Sequence, residues 1–180
     1  MDRIRLARAA DAPGIAALQA ESWRATYRGF LPDAYLDREV FEDRTAAWSR
    51  RFGERHEDPV LTLIAEDDGA IVGFAHSYID DHREWGTLLD NLHVRPDRKR
   101  CGIGTWLMAE TAARLQERGC NSGLYLWVVE WNVRAQRFYE ALGGCAAERA
   151  LADDDHGGTV PTVRYVWPQA GALAGRLPTA

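Results

Sequence analysis

Lysine is almost absent from this chain of 180 residues: Lys99 is the single example among 22 basic residues, so arginine carries nearly all the positive charge. That bias reads as genomic composition rather than function. No apolar run approaches the roughly 18 residues that a membrane-crossing helix requires. The N-terminal stretch MDRIRLARAADAP is charged and lacks the apolar centre of a secretion signal, so the expectation is a soluble, unexported, cytoplasmic protein. Cysteine is scarce and odd in number. Cys101, Cys120 and Cys145 have neither CxxC spacing nor a histidine at zinc-site distance, which argues against disulfides and structural zinc and suits a reducing compartment. A basic surplus is lacking too: the net charge of −5 argues against a general nucleic-acid binder. With no internal repeat and no linker, the chain reads as one domain over residues 1–167. The Ala-, Gly- and Pro-rich remainder, 168–180, is expected to be a flexible tail.

What is present is concentrated in residues 88–107, which read as an apolar strand, a basic loop and the first turns of an amphipathic helix. The first amides of a helix lack intrahelical acceptors and carry the positive end of its dipole. The amides of Gly102, Ile103 and Gly104 can therefore hold an anion, with Arg98, Lys99 and Arg100 adding full charges. A plain solvated basic loop fits the same residues. A Rossmann dinucleotide site does not: Leu107 stands where a third glycine belongs, and seven residues separate Val94 from Gly102. A Walker loop would need Gly-Lys-Ser/Thr, which the chain lacks.

The segment Val94-x-Pro96, the basic loop, Gly102-x-Gly104 and the helix resemble the acyl-CoA pyrophosphate loop of the GNAT N-acetyltransferase superfamily. Lys99 replaces the arginine or glutamine that opens the family's loop signature, and a lysine point charge does not reproduce a planar arginine fork. A second match follows in the right order: Asn132 opens a helix near whose end Phe138 and Tyr139 stand, before Leu142-Gly143. The resemblance covers about residues 1–167. It implies an α/β (α+β) fold with a mixed, mostly antiparallel central sheet and helices on both faces.

The remaining segments agree with that fold. Ile4 and Leu6 alternate as a strand; Asp11-Ala12-Pro13 reads as a helix start with Asp11 as N-cap, and Gly29 as its end. A second helix runs from Pro32 towards Gly53. Two strand-like runs flank Asp67-Asp68-Gly69, a hairpin signal, and residues 80–84 read as the next turn before a fourth strand at 85–94. A helix over 102–118, an apolar strand over 124–129 and the helix from Asn132 follow. A final hairpin turns around residues 153–158. The strand–helix–strand from 88 to 129 implies one parallel pair in an otherwise antiparallel sheet.

Acyl transfer from a thioester to an amine needs an uncharged amine, a stabilised oxyanion and a proton for the departing thiolate. Through the resemblance, the backbone of Leu92, His93 and Val94 is expected to face the pantetheine and thioester. Lys99, Arg100, Cys101, Gly102, Ile103, Gly104 and Thr105 form the pyrophosphate side, with Asn132, Arg137 and Phe138 completing the acetyl-CoA contacts. Tyr139 is the candidate general acid, and equally a half-buried tyrosine bonded to a neighbouring carbonyl. Asp90 is the candidate acceptor of the amine's proton and a contact to the amine, or else a solvated or capping carboxylate. His93 and His76 are weaker bases, since histidines on apolar strands usually pack. Trp23 and Tyr27 are expected through the resemblance to line the acceptor pocket, where Glu21, Asp33 and Asp37 would suit a cationic amine, or else to form an aromatic stripe that packs in the core. The expected activity is transfer of an acetyl group from acetyl-CoA to a primary amine of a small molecule or peptide, without a metal. The partners are acetyl-CoA and that amine, with neither nucleic acid nor membrane and with a homodimer left open. A non-catalytic acyl-CoA-binding module is the alternative.

Overall fold

The computed structural model describes residues 3–53, 59–120, 122–153 and 158–175. Among the described residues seven strands form one sheet: β1 (Arg3–Leu6), β2 (Val60–Asp67), β3 (Ala70–His82), β4 (Gly86–Val94), β5 (Leu124–Val129), β6 (Cys145–Asp153) and β7 (Thr159–Trp167). Their order is β1-β2-β3-β4-β5-β7-β6. Of these seven strands, β4 and β5 are the one parallel pair. A parallel return cannot be made by a hairpin, and helix α3 (Ile103–Glu117) supplies the crossover.

Helices α1 (Ala12–Tyr27) and α2 (Val40–Gly53) cover one face of the sheet, α2 entered through a π-helical turn over Tyr35–Glu39. There Ile15, Trp48, Ile64 and Phe74 are at most 1% exposed. On the other face α3 presents Leu107, Met108 and Leu115 to Leu61, Leu63, Leu126 and Tyr165. Each such burial contributes about 1.5–3 kcal/mol, which explains why a sheet this apolar on both sides needs both layers. Helix α4 (Val133–Ala141) follows β5.

Three expectations change. Asp11 stands at the N-cap of α1, yet its carboxylate makes no cap bond there; it accepts instead from the Arg8 amide at 2.7 Å and from Arg5. Residues 80–82 continue β3 rather than turning, because Tyr125 bonds Asp81 and Ser122 bonds Asp80. The segment after Pro168 forms α5 (Gly171–Ala174) rather than a loose tail. Ala170 and Leu173, 3% and 1% exposed, join the core beside α3, so small residues here pack closely. The tip of the last hairpin, 154–157, and the final residues, 176–180, lie outside the described residues.

Arg5 clamps the start of the fold. Its guanidinium donates to Asp11 at 2.8 Å and to Glu66 at 2.6 and 3.0 Å, tying β1 to β2 and to the entry of α1. These bonds hold both carboxyls below their ordinary values of 3.8 and 4.5. A depressed carboxyl contributes stability above its unfolded pKa, and that stability is lost as pH falls through the folded value. The melting temperature should therefore drop below about pH 4.5, and Arg5→Leu should flatten this acid dependence while lowering the neutral-pH value. Melting curves from pH 3 to 7 on both proteins check it; parallel curves would remove Arg5 from the account.

Two irregularities of β4 shape the centre of the molecule. His76 pairs with Asn91 and Ser77 with Leu89, so Asp90 is the extra residue of a bulge, a device that re-aims a side chain. Pairing between β4 and β5 covers only Thr87 with Leu124 and Leu88 with Tyr125. Beyond Leu88 the two strands part, and the β5-facing backbone groups of β4 open into a cleft.

Candidate active site

The cleft between the parting strands has a volume of about 940 Å³. Four elements bring the expected residues to it. Asp90, Leu92, His93 and Val94 come from β4, and Lys99 and Arg100 from the loop behind it. Gly102, Ile103, Gly104 and Thr105 belong to the first turn of α3, and Asn132, Arg137, Phe138 and Tyr139 to α4 and its cap. Tyr27, at the end of α1, closes the opposite wall. Cys101 and Trp23, expected among them, lie elsewhere. Cys101 is exposed, its Sγ 3.8 Å from the Lys99 carbonyl, and is not part of the cleft lining. Trp23 packs under the Arg44 guanidinium at 4.5 Å and against Tyr27 at 5.3 Å, on the α2 side of α1 and away from the lining.

The loop is built to hold an anion. Gly102 caps α3 with φ 79, a left-handed conformation that a side chain resists. Arg100 adopts φ 68 without being glycine, a strain of about 1–2 kcal/mol of the kind found where a loop is held for function. At Gly104 a Cβ would lie 3.2 Å from the Phe138 ring, so glycine here also lets α4 approach α3. Of the basic run, Arg95 and Arg98 are spent on Asp97 and Asp67, each at 2.7 Å. Lys99, Arg100, Arg134 and Arg137 have no ion pair among the described residues, and all four line the cleft. Burial and the neighbouring Arg134 push the Lys99 ammonium below its ordinary pKa, the mark of a cation lacking its counter-charge. Arg134 went unnoticed in the sequence, yet it carries a signal: a cation in the first turn of a helix opposes the dipole, a cost that a nearby anion offsets.

Tyr139 sits deep in the cleft, its ring near Phe138, Tyr165 and Trp167 at 5.3, 5.9 and 6.0 Å. Its hydroxyl makes no hydrogen bond to another described residue, and burial raises its pKa well above that of a free phenol. Asn132 caps α4 by accepting from the Ala135 amide at 3.1 Å. His93 is held neutral, its pKa lowered to about 3 by burial and by the Lys99 and Arg44 cations, with Nδ1 3.0 Å from Ser22 Oγ. His76 is 1% exposed, bonded to Thr62 at 2.8 Å and packed on Trp48; it does not reach the cleft.

The opposite end of the cleft is aromatic. Trp131, just before the α4 cap, stacks on Phe30 at 3.6 Å and meets the edge of Tyr27 at 5.4 Å, while Trp127 projects from β5. These tryptophans were missed because one falls in a turn and the other in a strand that reads as buried throughout. Asp33 and Asp37, expected to attract a cationic amine, are both paired to Arg28, and Glu21 lies outside the lining. Asp90 is the single acid among the described lining residues.

Comparison with known proteins fits this geometry. The chain is 28% identical over 178 residues to the uncharacterized N-acetyltransferase YuaI of Bacillus subtilis (strain 168), covering 96% of each. Its fold matches a GCN5-related N-acetyltransferase structure from Rhodopseudomonas palustris with a TM-score of 0.71 and 22% identity, over 91% of this chain and 93% of that one. It also matches the PaiA N-acetyltransferase of Thermoplasma acidophilum, solved in complex with coenzyme A, with a TM-score of 0.64 and 22% identity over 89% and 96%. The family model for the acetyltransferase (GNAT) family matches residues 17–144, a span that holds the parted strands, the glycine loop and α4, and the chain is a member of that family.

Proposed function

We propose that the cleft takes acetyl-CoA along its basic end and, at its aromatic end, a primary amine carried on a flat, apolar body. Membership of the family sets the reaction, in which an acetyl group passes from acetyl-CoA to an amine. The observation that supports the placement is the split of one cleft into two chemistries. Four cations without an ion pair among the described residues and the first turn of α3 suit a pyrophosphate, and the free edge of β4 suits the amide-bearing pantetheine arm, which can complete the ladder that β5 leaves open. Tyr27, Trp127 and Trp131 line the remainder with Ser22, Thr26 and Thr162. A polyamine would need several carboxylates, and among the described residues this end offers only Asp90, already paired to Arg51 at 2.8 Å.

In this reading Asp90 accepts the amine's proton directly or through water, and Tyr139 donates its hydroxyl proton towards the sulfur as thiolate charge develops. His93 serves by packing: with its pKa lowered to about 3 the imidazole stays neutral near neutrality and is too weak a base to take the amine's proton. The three free cysteines suit the cytoplasm, where thiols stay reduced.

Loss of one large ring contact removes roughly tenfold or more in binding. Trp131→Ala should therefore raise the KM for the amine by about that factor, with little change in the KM for acetyl-CoA. The assay is steady-state turnover with a panel of 2-phenylethylamine, tyramine, spermidine and an alanine-starting peptide. Preference for spermidine, or equal changes in both KM values, would contradict the proposed acceptor class.

A further inference from the structure

Asp90 ends a chain of hydrogen bonds that begins in the core. The Trp48 indole, 1% exposed on α2, donates to Gln19 Oε1 of α1 at 2.7 Å. Gln19 Nε2 donates to Asn91 Oδ1 of β4 at 2.8 Å, and Asn91 Nδ2 donates to Asp90 Oδ2. Arg51, also on α2, reaches the same oxygen at 2.8 Å while its guanidinium lies 4.9 Å from the Trp48 ring. An indole N–H can only donate. Trp48 therefore dictates which end of the Gln19 amide faces it, Gln19 then dictates the orientation of Asn91, and Asn91 presents its N–H rather than its oxygen to the carboxylate. Gln19 and Asn91, 2% and 8% exposed, have no water with which to trade these bonds. Both donors converge on Oδ2, which leaves Oδ1 as the oxygen available to the cleft. The bulge at Asp90 is what turns the side chain to this position.

We infer that Trp48, Gln19, Asn91 and Arg51 are positioning residues for the acceptor half of the reaction, fixing one oxygen of Asp90 so that the other meets the amine. The inference rests on the proposed role of Asp90. The network touches neither the pyrophosphate loop nor α4, so it acts on the amine step and leaves acetyl-CoA binding alone.

The test is a pair of double-mutant cycles read as kcat and both KM values, with the fastest amine of the panel above. Trp48→Phe keeps a ring and removes the donor; one hydrogen bond accounts for roughly a three- to tenfold fall in kcat. The KM for acetyl-CoA should hold. Gln19→Glu is the second variant: it still accepts from the indole but cannot donate when ionised, so Asn91 must turn its oxygen towards Asp90, and kcat should fall further. In an Asp90→Asn background, already lower in kcat, both substitutions should cost nothing more, because their effect passes through the carboxylate. Equal losses with and without Asp90, or a rise in the acetyl-CoA KM, would show mere core packing and overturn the inference. An Asp90→Asn enzyme with wild-type kcat would overturn it too while leaving the acetyltransferase reading intact. A wild-type protein that releases no coenzyme A with any amine would bring down that reading and the inference together.

Discussion

Gly104→Asp is expected to abolish stabilisation by acetyl-CoA. Two effects add. The new Cβ would meet the Phe138 ring at 3.2 Å, forcing α4 to give by a few tenths of an ångström. The new carboxylate would face the pyrophosphate in the end of the cleft that Lys99, Arg100, Arg134 and Arg137 line. At 4 Å and an effective dielectric of 20, one such like-charge contact costs about 4 kcal/mol, or roughly three decades of affinity. The unliganded protein should lose less, because an acid in the first turn of α3 gains from the helix dipole by about 0.3–1 kcal/mol. Gly104→Ala separates the two effects, since it adds the Cβ without the charge and should weaken binding far less than the aspartate. At a hundred times its dissociation constant acetyl-CoA adds about 2.7 kcal/mol to the wild type, readily seen as a thermal shift. An aspartate variant with the full shift would mean that the pyrophosphate does not sit at this turn.

Tyr139→Phe is expected to lower kcat by at least about tenfold, the cautious end of the 10²–10⁴-fold range for general acids, with unchanged acetyl-CoA binding. The raised pKa of this phenol weakens it as an acid, and a free phenol near 10 already lies above an alkyl thiol near 8.5. Desolvation, however, raises the proton affinity of a thiolate formed beside it for the same reason, so the gap between donor and acceptor does not widen in step. The ring's packing on Tyr165 and Trp167 is retained in phenylalanine, so the melting temperature should hold. Wild-type kcat in this variant would take Tyr139 out of the proton path.

The order of elements was largely legible because periodicity and turn chemistry are local. Asp68 and Gly69 take positive φ as a tight hairpin demands, Gly119 and Gly143 follow α3 and α4 in the same conformation, and Asn132 caps α4. The glycine loop was legible for the same reason. What escaped was whatever depends on contacts between distant segments. Trp48, Gln19 and Asn91 lie on three elements and their bonds span 29 and 72 positions, so no window of sequence holds them together. Asp33 and Asp37 looked available to a substrate until folding gave both to Arg28. Trp23 and Tyr27 are one turn apart on α1, yet only Tyr27 reaches the cleft, a distinction set by where α2 packs.

The central claim is that one cleft joins acetyl-CoA to an amine, and it is tested most directly by following coenzyme A thiol release together with product mass across the amine panel. Thiol released only when an amine is present, in equal amount to an amine product heavier by one acetyl group, is the predicted result. A protein that is thermally stabilised by acetyl-CoA yet releases no thiol with any amine, or that responds to NAD and not to acetyl-CoA, would contradict it.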